Sequence, residues 1–225
     1  MSNPAPINRV TRSKAEARAS YDKMSAWYDL LAGLSEKKYK DMGLQILDIQ
    51  TGEQVLEVGF GTGQCLTKLV GAAGETGSIY GVDLSQGMLD VAQSRLHKAG
   101  IGDSVELCLG DAAELPYADN SFDAIYSSFT LELFDTPEIP VVLSECQRVL
   151  KPGGRLCMVS MSKKSRSGFM VKLYEWTQKN FNKYVDCRPI YVEQSIKDIG
   201  FDISSVTEMS MFGLPVDIVL AIKAW

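Results

Sequence analysis

Glu57-Val58-Gly59-Phe60-Gly61-Thr62-Gly63 sets three alternate glycines directly behind a short apolar run, Gln54–Val58. Glycine lets a backbone turn sharply and approach a ligand closely, and a helix beginning after the loop would aim unpaired N–H groups at that ligand. The spacing excludes two ligand classes. A dinucleotide fingerprint needs a glycine where Gln64 stands, and a phosphate loop needs a Lys-Ser/Thr pair that does not follow. Twenty residues beyond Gly63, Asp83 ends the run Ile79-Tyr80-Gly81-Val82. A carboxylate at a strand tip can accept hydrogen bonds from both ribose hydroxyls, the chemistry that an adenosine-bearing ligand requires. Asp111, in Gly110-Asp111-Ala112, closes a third run. It can accept from an exocyclic adenine amine, with a neighbouring N–H on a ring nitrogen, or it can cap a helix.

Other reactive side chains are sparse. The single histidine, His97, stands just before Gly100 in Arg95-Leu96-His97-Lys98-Ala99-Gly100. That is where a helix C-terminus recruits positive and polar groups, so its reading is structural and an imidazole base is not expected. The five cysteines (65, 108, 146, 157 and 187) are scattered without a CxxC pair. Buried thiols are expected, and neither a metal site nor a redox pair.

These groups need elements to position them. Short apolar runs at Gln54–Val58, Ser78–Val82, Val105–Leu109, Phe122–Ser127 and Arg155–Ser160 alternate with helical stretches, about Gln64 to Ala72 and onward to Lys98. That alternation predicts βαβ units and a buried parallel sheet. Phe201–Met211 and Val216–Trp225 are separated only by Phe212–Pro215, too short for a parallel crossover, so they are expected to pair as an antiparallel hairpin. The chain of 225 residues is expected to form one domain over residues 11–225, behind a loose tail at 1–10, with lid helices over 11–48 and an insertion at 162–192 covering the site.

Composition narrows the class further. No apolar run approaches the roughly 20 residues that cross a bilayer, and the first ten residues lack the order of a signal peptide, so a cytoplasmic protein is expected. Net charge is −5, but residues 1–40 and 162–187 each carry +4 and the remainder −13. Two basic segments on an acidic body suit an anionic substrate or membrane surface, or are simply solvated helix faces; nucleic acid is not expected as a partner.

Taken together, Glu57-x-Gly59-x-Gly61-x-Gly63, Asp83, Gly110-Asp111, Asn120-Ser121-Phe122-Asp123 and Val149-Leu150-Lys151-Pro152-Gly153-Gly154 resemble the ordered motifs of the Rossmann-like S-adenosylmethionine-dependent methyltransferases, over roughly residues 20–225. Tyr21-Asp22-Lys23-Met24-Ser25-Ala26-Trp27-Tyr28-Asp29 is similar to the entry helix of the ubiquinone and menaquinone C-methyltransferases and of the bacterial phosphatidylethanolamine N-methyltransferases. The resemblance implies a doubly wound, mostly parallel α/β sheet of seven strands with an antiparallel last strand. It also implies S-adenosyl-L-methionine as cofactor. Glu57 would face its methionine amino end, above the Gly59–Gly63 backbone and Phe60. Asp83 would hold the ribose, Leu84 and Met88 would line the adenine slot, and Asp111 and Ala112 would read the adenine edge. Ser127, Ser128 and Phe129 would lie under the sulfonium.

Methyl transfer from a sulfonium is an in-line displacement in which positioning can supply on the order of 7–11 kcal/mol, so no elaborate acid–base apparatus is required. Should the acceptor need deprotonation, Glu132 and Tyr28 are the candidate bases. Each has a plainer role open to it: Glu132 as a cap or a solvent-facing acid, Tyr28 as packing over the cofactor. Arg188, Tyr174 and Tyr184 are candidate substrate contacts, though Arg188 can equally pair with Asp186. Within Gly168–Asn182, two apolar stripes at helical spacing point to a hydrophobic acceptor, a prenylated quinol carbon or a lipid amine, met at a membrane surface. A soluble small metabolite is the alternative acceptor. A nicotinamide oxidoreductase is disfavoured by Gln64 and the closing hairpin, and a non-catalytic cofactor-binding protein by the intact loop and ribose acid.

Overall fold

The computed structural model describes residues 7, 9–10, 12–29, 34–163 and 188–225. Two helices, α1 (Lys14–Tyr28) and α2 (Leu34–Leu47), precede the alternating part of the chain. That part runs β1 (Gln54–Val58), α3 (Leu66–Ala73), β2 (Ser78–Asp83), α4 (Gln86–Lys98), β3 (Val105–Leu109), β4 (Phe122–Ser128), α5 (Ile139–Val149) and β5 (Leu150–Met161). Helix α6 (Val192–Asp198) then leads into β6 (Phe201–Met211) and β7 (Leu214–Lys223).

The sheet has seven strands in the order β3-β2-β1-β4-β5-β7-β6. The pairs from β3 through β5 are parallel, and β7 enters antiparallel between β5 and β6. The expected doubly wound sheet and its reversed last strand are therefore present. Its parallel strands are apolar on successive residues because both faces are covered. Val55, Ala124, Tyr126 and Cys157 join α2, α3 and α4 in one core. Their strand neighbours Leu56, Ile125, Leu156 and Met158 join α5 and α6 in the other. Truncating a side chain such as Ile125, which has no exposed surface, would open a cavity costing about 2–5 kcal/mol.

Local chemistry sets the element ends. Ser85 caps α4 by accepting from Met88 N at 3.1 Å, and Arg95, His97 and Lys98 occupy its last turn, as expected for His97. The hairpin turn is Phe212-Gly213, both at positive φ, the conformation that matches the twist of the flanking strands. Strand β5 begins five residues earlier than its apolar run suggests, because Leu150 pairs with Phe122 before a register shift and Lys151 Nζ reaches Asp123 at 2.7 Å. Helix α3 begins at Leu66 rather than Gln64, since turns carry the whole glycine loop through Gln64.

After β1 the chain winds outward to β2 and β3, then crosses back to β4 on the other side of β1. The carboxyl ends of β1 and β4 thus diverge at the topological switch point, where open α/β sheets bind ligands.

Candidate active site

A cavity opens at that point, and the turns after β1, β2, β3 and β4 all contribute to its wall. The glycines there serve different ends. Gly59 (φ 74°) lies so close to Thr130 that an added Cβ would fall 2.3 Å from its Oγ1. Gly61 (φ 52°) faces open space, and its N–H donates to Asp83 Oδ2 at 2.8 Å. The Asp83 carboxylate is thereby held in place, with Ser85 N on its other oxygen at 2.9 Å. Burial raises the Asp83 pKa, against the lowering effect of these N–H groups.

Glu57 is 1% exposed, and its Oε2 has no hydrogen-bond partner among the described residues. Burial pushes its pKa to about 8, although Lys40 acts in the opposite direction. Lys40, from α2, shares the cavity wall with Glu57 and pairs with Glu36 at 2.7 Å. Burial alone would lower the Lys40 pKa, yet the Glu36 carboxylate outweighs it and holds the ammonium above its ordinary value. One end of the cavity therefore presents an orphaned buried carboxylate oxygen beside a half-buried cation. An α-amino acid moiety, with its ammonium and carboxylate, complements that pair.

The structure brings several of the predicted residues together. Phe60, Leu84, Met88, Asp111, Ala112, Ser128, Phe129 and Tyr28 all line the cavity. Asp111 caps no helix: its Oδ1 accepts from Ala113 N at 2.9 Å, and its Oδ2 pairs with Lys14 at 2.6 Å. Phe129 adopts a left-handed backbone (φ 53°), a conformation strained for a side chain of its size, and its ring meets Tyr39 edge-on at 6.3 Å.

Four predicted residues are placed elsewhere. Gly63 is absent from the described wall and backs onto α4 instead, where an added Cβ would fall 3.0 Å from Ala92 Cβ. The Ser127 hydroxyl donates to Val58 O at 2.8 Å inside the sheet, so Ser128, not Ser127, reaches the cavity. Glu132 is wholly buried and absent from the described wall, because the single 3₁₀ turn Leu131–Leu133 points it inward at β5. There it accepts from Ser160 Oγ at 3.0 Å and Met161 N at 3.1 Å, and burial raises its pKa to about 7. Arg188, 1% exposed, also lies off the wall: its guanidinium holds Thr136 Oγ1 at 3.0 Å and the Phe134 carbonyl, buttressing the wall residue Phe134 from behind. Tyr174, Tyr184, Asp186 and the stripes of Gly168–Asn182 lie outside the described residues.

The N-terminal segment forms more of the site than the glycine motif alone discloses. Val10, Arg12, Lys14, Arg18 and Tyr21 join Tyr28 on the wall. Arg9, placed in the tail by the sequence, grips Asp135 through Nε and Nη2 at 2.6–2.8 Å. Asp22 accepts from Ser85 Oγ (2.6 Å) and Gly87 N (3.0 Å), while Asp29 accepts from Thr62 Oγ1 and Gln64 Nε2. A signal for these contacts exists in the sequence: Tyr21-Asp22 recurs seven residues later as Tyr28-Asp29, two helical turns on, along the same face.

Among the described residues no helix is long and apolar enough to cross a membrane, and no cluster of three or more His, Cys, Asp or Glu side chains could hold a metal ion.

Comparison with known proteins agrees with this geometry. Residues 55–154 match a family model described as a methyltransferase domain. The demethylmenaquinone methyltransferase of Bacillus velezensis is 35% identical over 150 residues, 67% of this chain, and the match spans 62% of that relative's length. Two solved structures share the fold over nearly the whole chain. The [4+2]-cyclase SpnF superposes with a TM-score of 0.79 at 20% identity, covering 98% of this chain and 99% of its own. A SAM-dependent methyltransferase from Aquifex aeolicus gives 0.65 at 22%, covering 92% and 98%. A cyclase among these neighbours is a reminder that the fold hosts more than one chemistry, so the reaction has to be argued from the site. The glycine loop and the two strand-tip acids all fall within residues 55–154, the part of the chain that matches the methyltransferase-domain family, in a seven-stranded, doubly wound Rossmann-like sheet.

Proposed function

We propose that the protein transfers a methyl group from S-adenosyl-L-methionine to a hydrophobic aromatic acceptor, a ring carbon of a prenylated quinol. The observation that carries the cofactor is the unpartnered Glu57 oxygen beside Lys40, in a cavity whose wall also holds the acids Asp83, Asp111 and Glu138. Glu57 would take the cofactor's ammonium and Lys40 its carboxylate, Asp83 the ribose, and Asp111 with Ala112 the adenine edge. The cofactor supplies an activated methyl carbon. The chain supplies alignment and the exclusion of water, with Phe129, Leu133, Phe134 and Tyr28 providing apolar wall near Ser128.

The quinol acceptor is supported by the similarity to a demethylmenaquinone methyltransferase and by that apolar wall. A lipid amine fits the second of the two resembled groups, but no described side chain argues for it over the quinol. The deciding experiment incubates the protein with methyl-labelled cofactor and a naphthoquinol carrying a short prenyl chain, kept reduced, and reads products by mass spectrometry. A ring-methylated product supports the reading. Labelling of an amine lipid in a parallel reaction, with the quinol untouched, would overturn it.

A further inference from the structure

Behind the cavity wall, beside Lys40, stands Glu36, a carboxylate to which the cofactor reading gives no role. Tyr28, from the last turn of α1, lines the cavity, and its hydroxyl donates to Glu36 Oε1 on α2 at 3.5 Å. That is the long end of the hydrogen-bond range, as is common for catalytic groups before a ligand draws them together. Glu36 is itself buried, at 6% exposure, an unusual place for a carboxylate in the first turn of a helix. Its other oxygen lies 2.7 Å from Lys40 Nζ as an ion pair, without the geometry of a hydrogen bond. Among the described residues, the ionisable groups that bear on Glu36 are Lys40 on its own helix, Tyr28 from α1 and the buried Glu132 beyond β4. Behind these, Glu57 acts on Lys40, and Arg188 lies close enough to Glu132 to feel its charge.

Resting on the quinol reading above, we infer that Glu36 is a positioning residue that turns Tyr28 into a proton relay for an aromatic hydroxyl acceptor. The acceptor's O–H bond breaks and its proton passes to the Tyr28 oxygen, while the proton already on Tyr28 passes to the Glu36 carboxylate. The electron pair stays on the acceptor oxygen and delocalises into the ring, making the ring carbon nucleophilic. Lys40 remains beside the newly neutral Glu36, so the positive charge left there balances the aryloxide formed a few side chains away. This arrangement accounts for burying Glu36, which a purely structural ion pair would leave better solvated.

The test needs no turnover. The probe is 1-naphthol, whose ionisation changes its ultraviolet absorbance, titrated with pH while bound to the wild type, Tyr28→Phe, Glu36→Gln and the double variant. Tyr28→Phe keeps the ring packing and the Glu36–Lys40 pair, which guards against simple loss of fold. The wild type is expected to ionise the bound naphthol at least tenfold more readily than either single variant, a shift of about one pH unit or more. The double variant is expected to match the singles, because the two residues act as one unit. With the short-chain quinol, kcat is expected to fall about 10²-fold or more in both singles at neutral pH, with KM little changed, and to recover at alkaline pH where the acceptor ionises unaided. Equal ionisation of bound naphthol in all four proteins would overturn the relay while leaving the methyltransferase reading intact. Failure of the wild type to bind naphthol or methylate the quinol would remove both.

Discussion

Gln64 Nε2 donates to Asp29 Oδ1 at 2.7 Å, so the residue that breaks the dinucleotide fingerprint is also one that fastens the N-terminal helix over the cavity. Thr62 Oγ1 shares the same carboxylate oxygen, at 2.6 Å, and Arg95 takes the other. The glycine loop and the end of α1 are thus one hydrogen-bonded unit, and changes in either should register in cofactor binding.

The ribose acid gives the first prediction. Asp83→Ala is expected to weaken S-adenosylmethionine binding by tenfold or more, the roughly 1.5–3 kcal/mol of charge-assisted hydrogen bonds, and to leave Gly61 N and Ser85 N without their acceptor. Calorimetric titration of the cofactor checks it. An unchanged affinity would remove the ribose assignment.

Gly61→Val should abolish cofactor binding in a protein that still folds. A Cβ at this position meets no protein atom within 4 Å, so the branched side chain would project into the cavity rather than into the core. The positive φ adds a strain of about 1–3 kcal/mol, which should appear as a lowered melting temperature. Normal binding by a folded Gly61→Val variant would reduce the loop to an ordinary turn.

Glu57 makes binding proton-linked. Its pKa is raised by burial from 4.5 to about 8, so between those values the free protein holds a proton that the unfolded chain does not. The stability this contributes is present in full below 4.5 and is lost as pH rises through about 8. A bound ammonium would lower that pKa and expel the proton. Titrations at about pH 7 in buffers of different ionisation enthalpy should therefore show proton release for the wild type and none for Glu57→Gln, while equal release by both would assign the proton to another group.

Lys14 bridges Asp111 (2.6 Å) and Glu138 (2.9 Å), all three on the cavity wall. All three side chains are partly exposed, so the tether is worth about 1 kcal/mol or less and should weaken with salt. Lys14→Ala is expected to speed cofactor dissociation up to about fivefold in stopped-flow measurements at low salt, with the difference vanishing near about 1 M salt. A dissociation rate equal to wild type at low salt would show that the strap does not govern release.

Much of this protein was settled by the sequence alone. The short apolar runs, the glycines at three alternate positions, the acids at two strand tips and the four-residue gap before the last strand are local signals, and each dictates a conformation that its neighbours need not confirm. They specify the parallel sheet, the hairpin and the cofactor loop. What only the tertiary structure decided depends on which face an element presents once it docks. Ser127 and Ser128 are adjacent and alike in type, yet only the pairing of β4 with β1 sends one hydroxyl into the sheet and leaves the other on the cavity wall. Glu132 beyond the fourth strand and Arg188 in the insertion both read as site residues, but both are buried by partners 28 and 52 residues away. Tyr28, Glu36, Lys40 and Glu57 come from three separate elements, and apart from the i,i+4 pair Glu36–Lys40 no spacing in the chain encodes their meeting. It follows from the packing of α1 against α4 and of α2 on the sheet, where burial, rather than any local motif, gives these groups their chemistry.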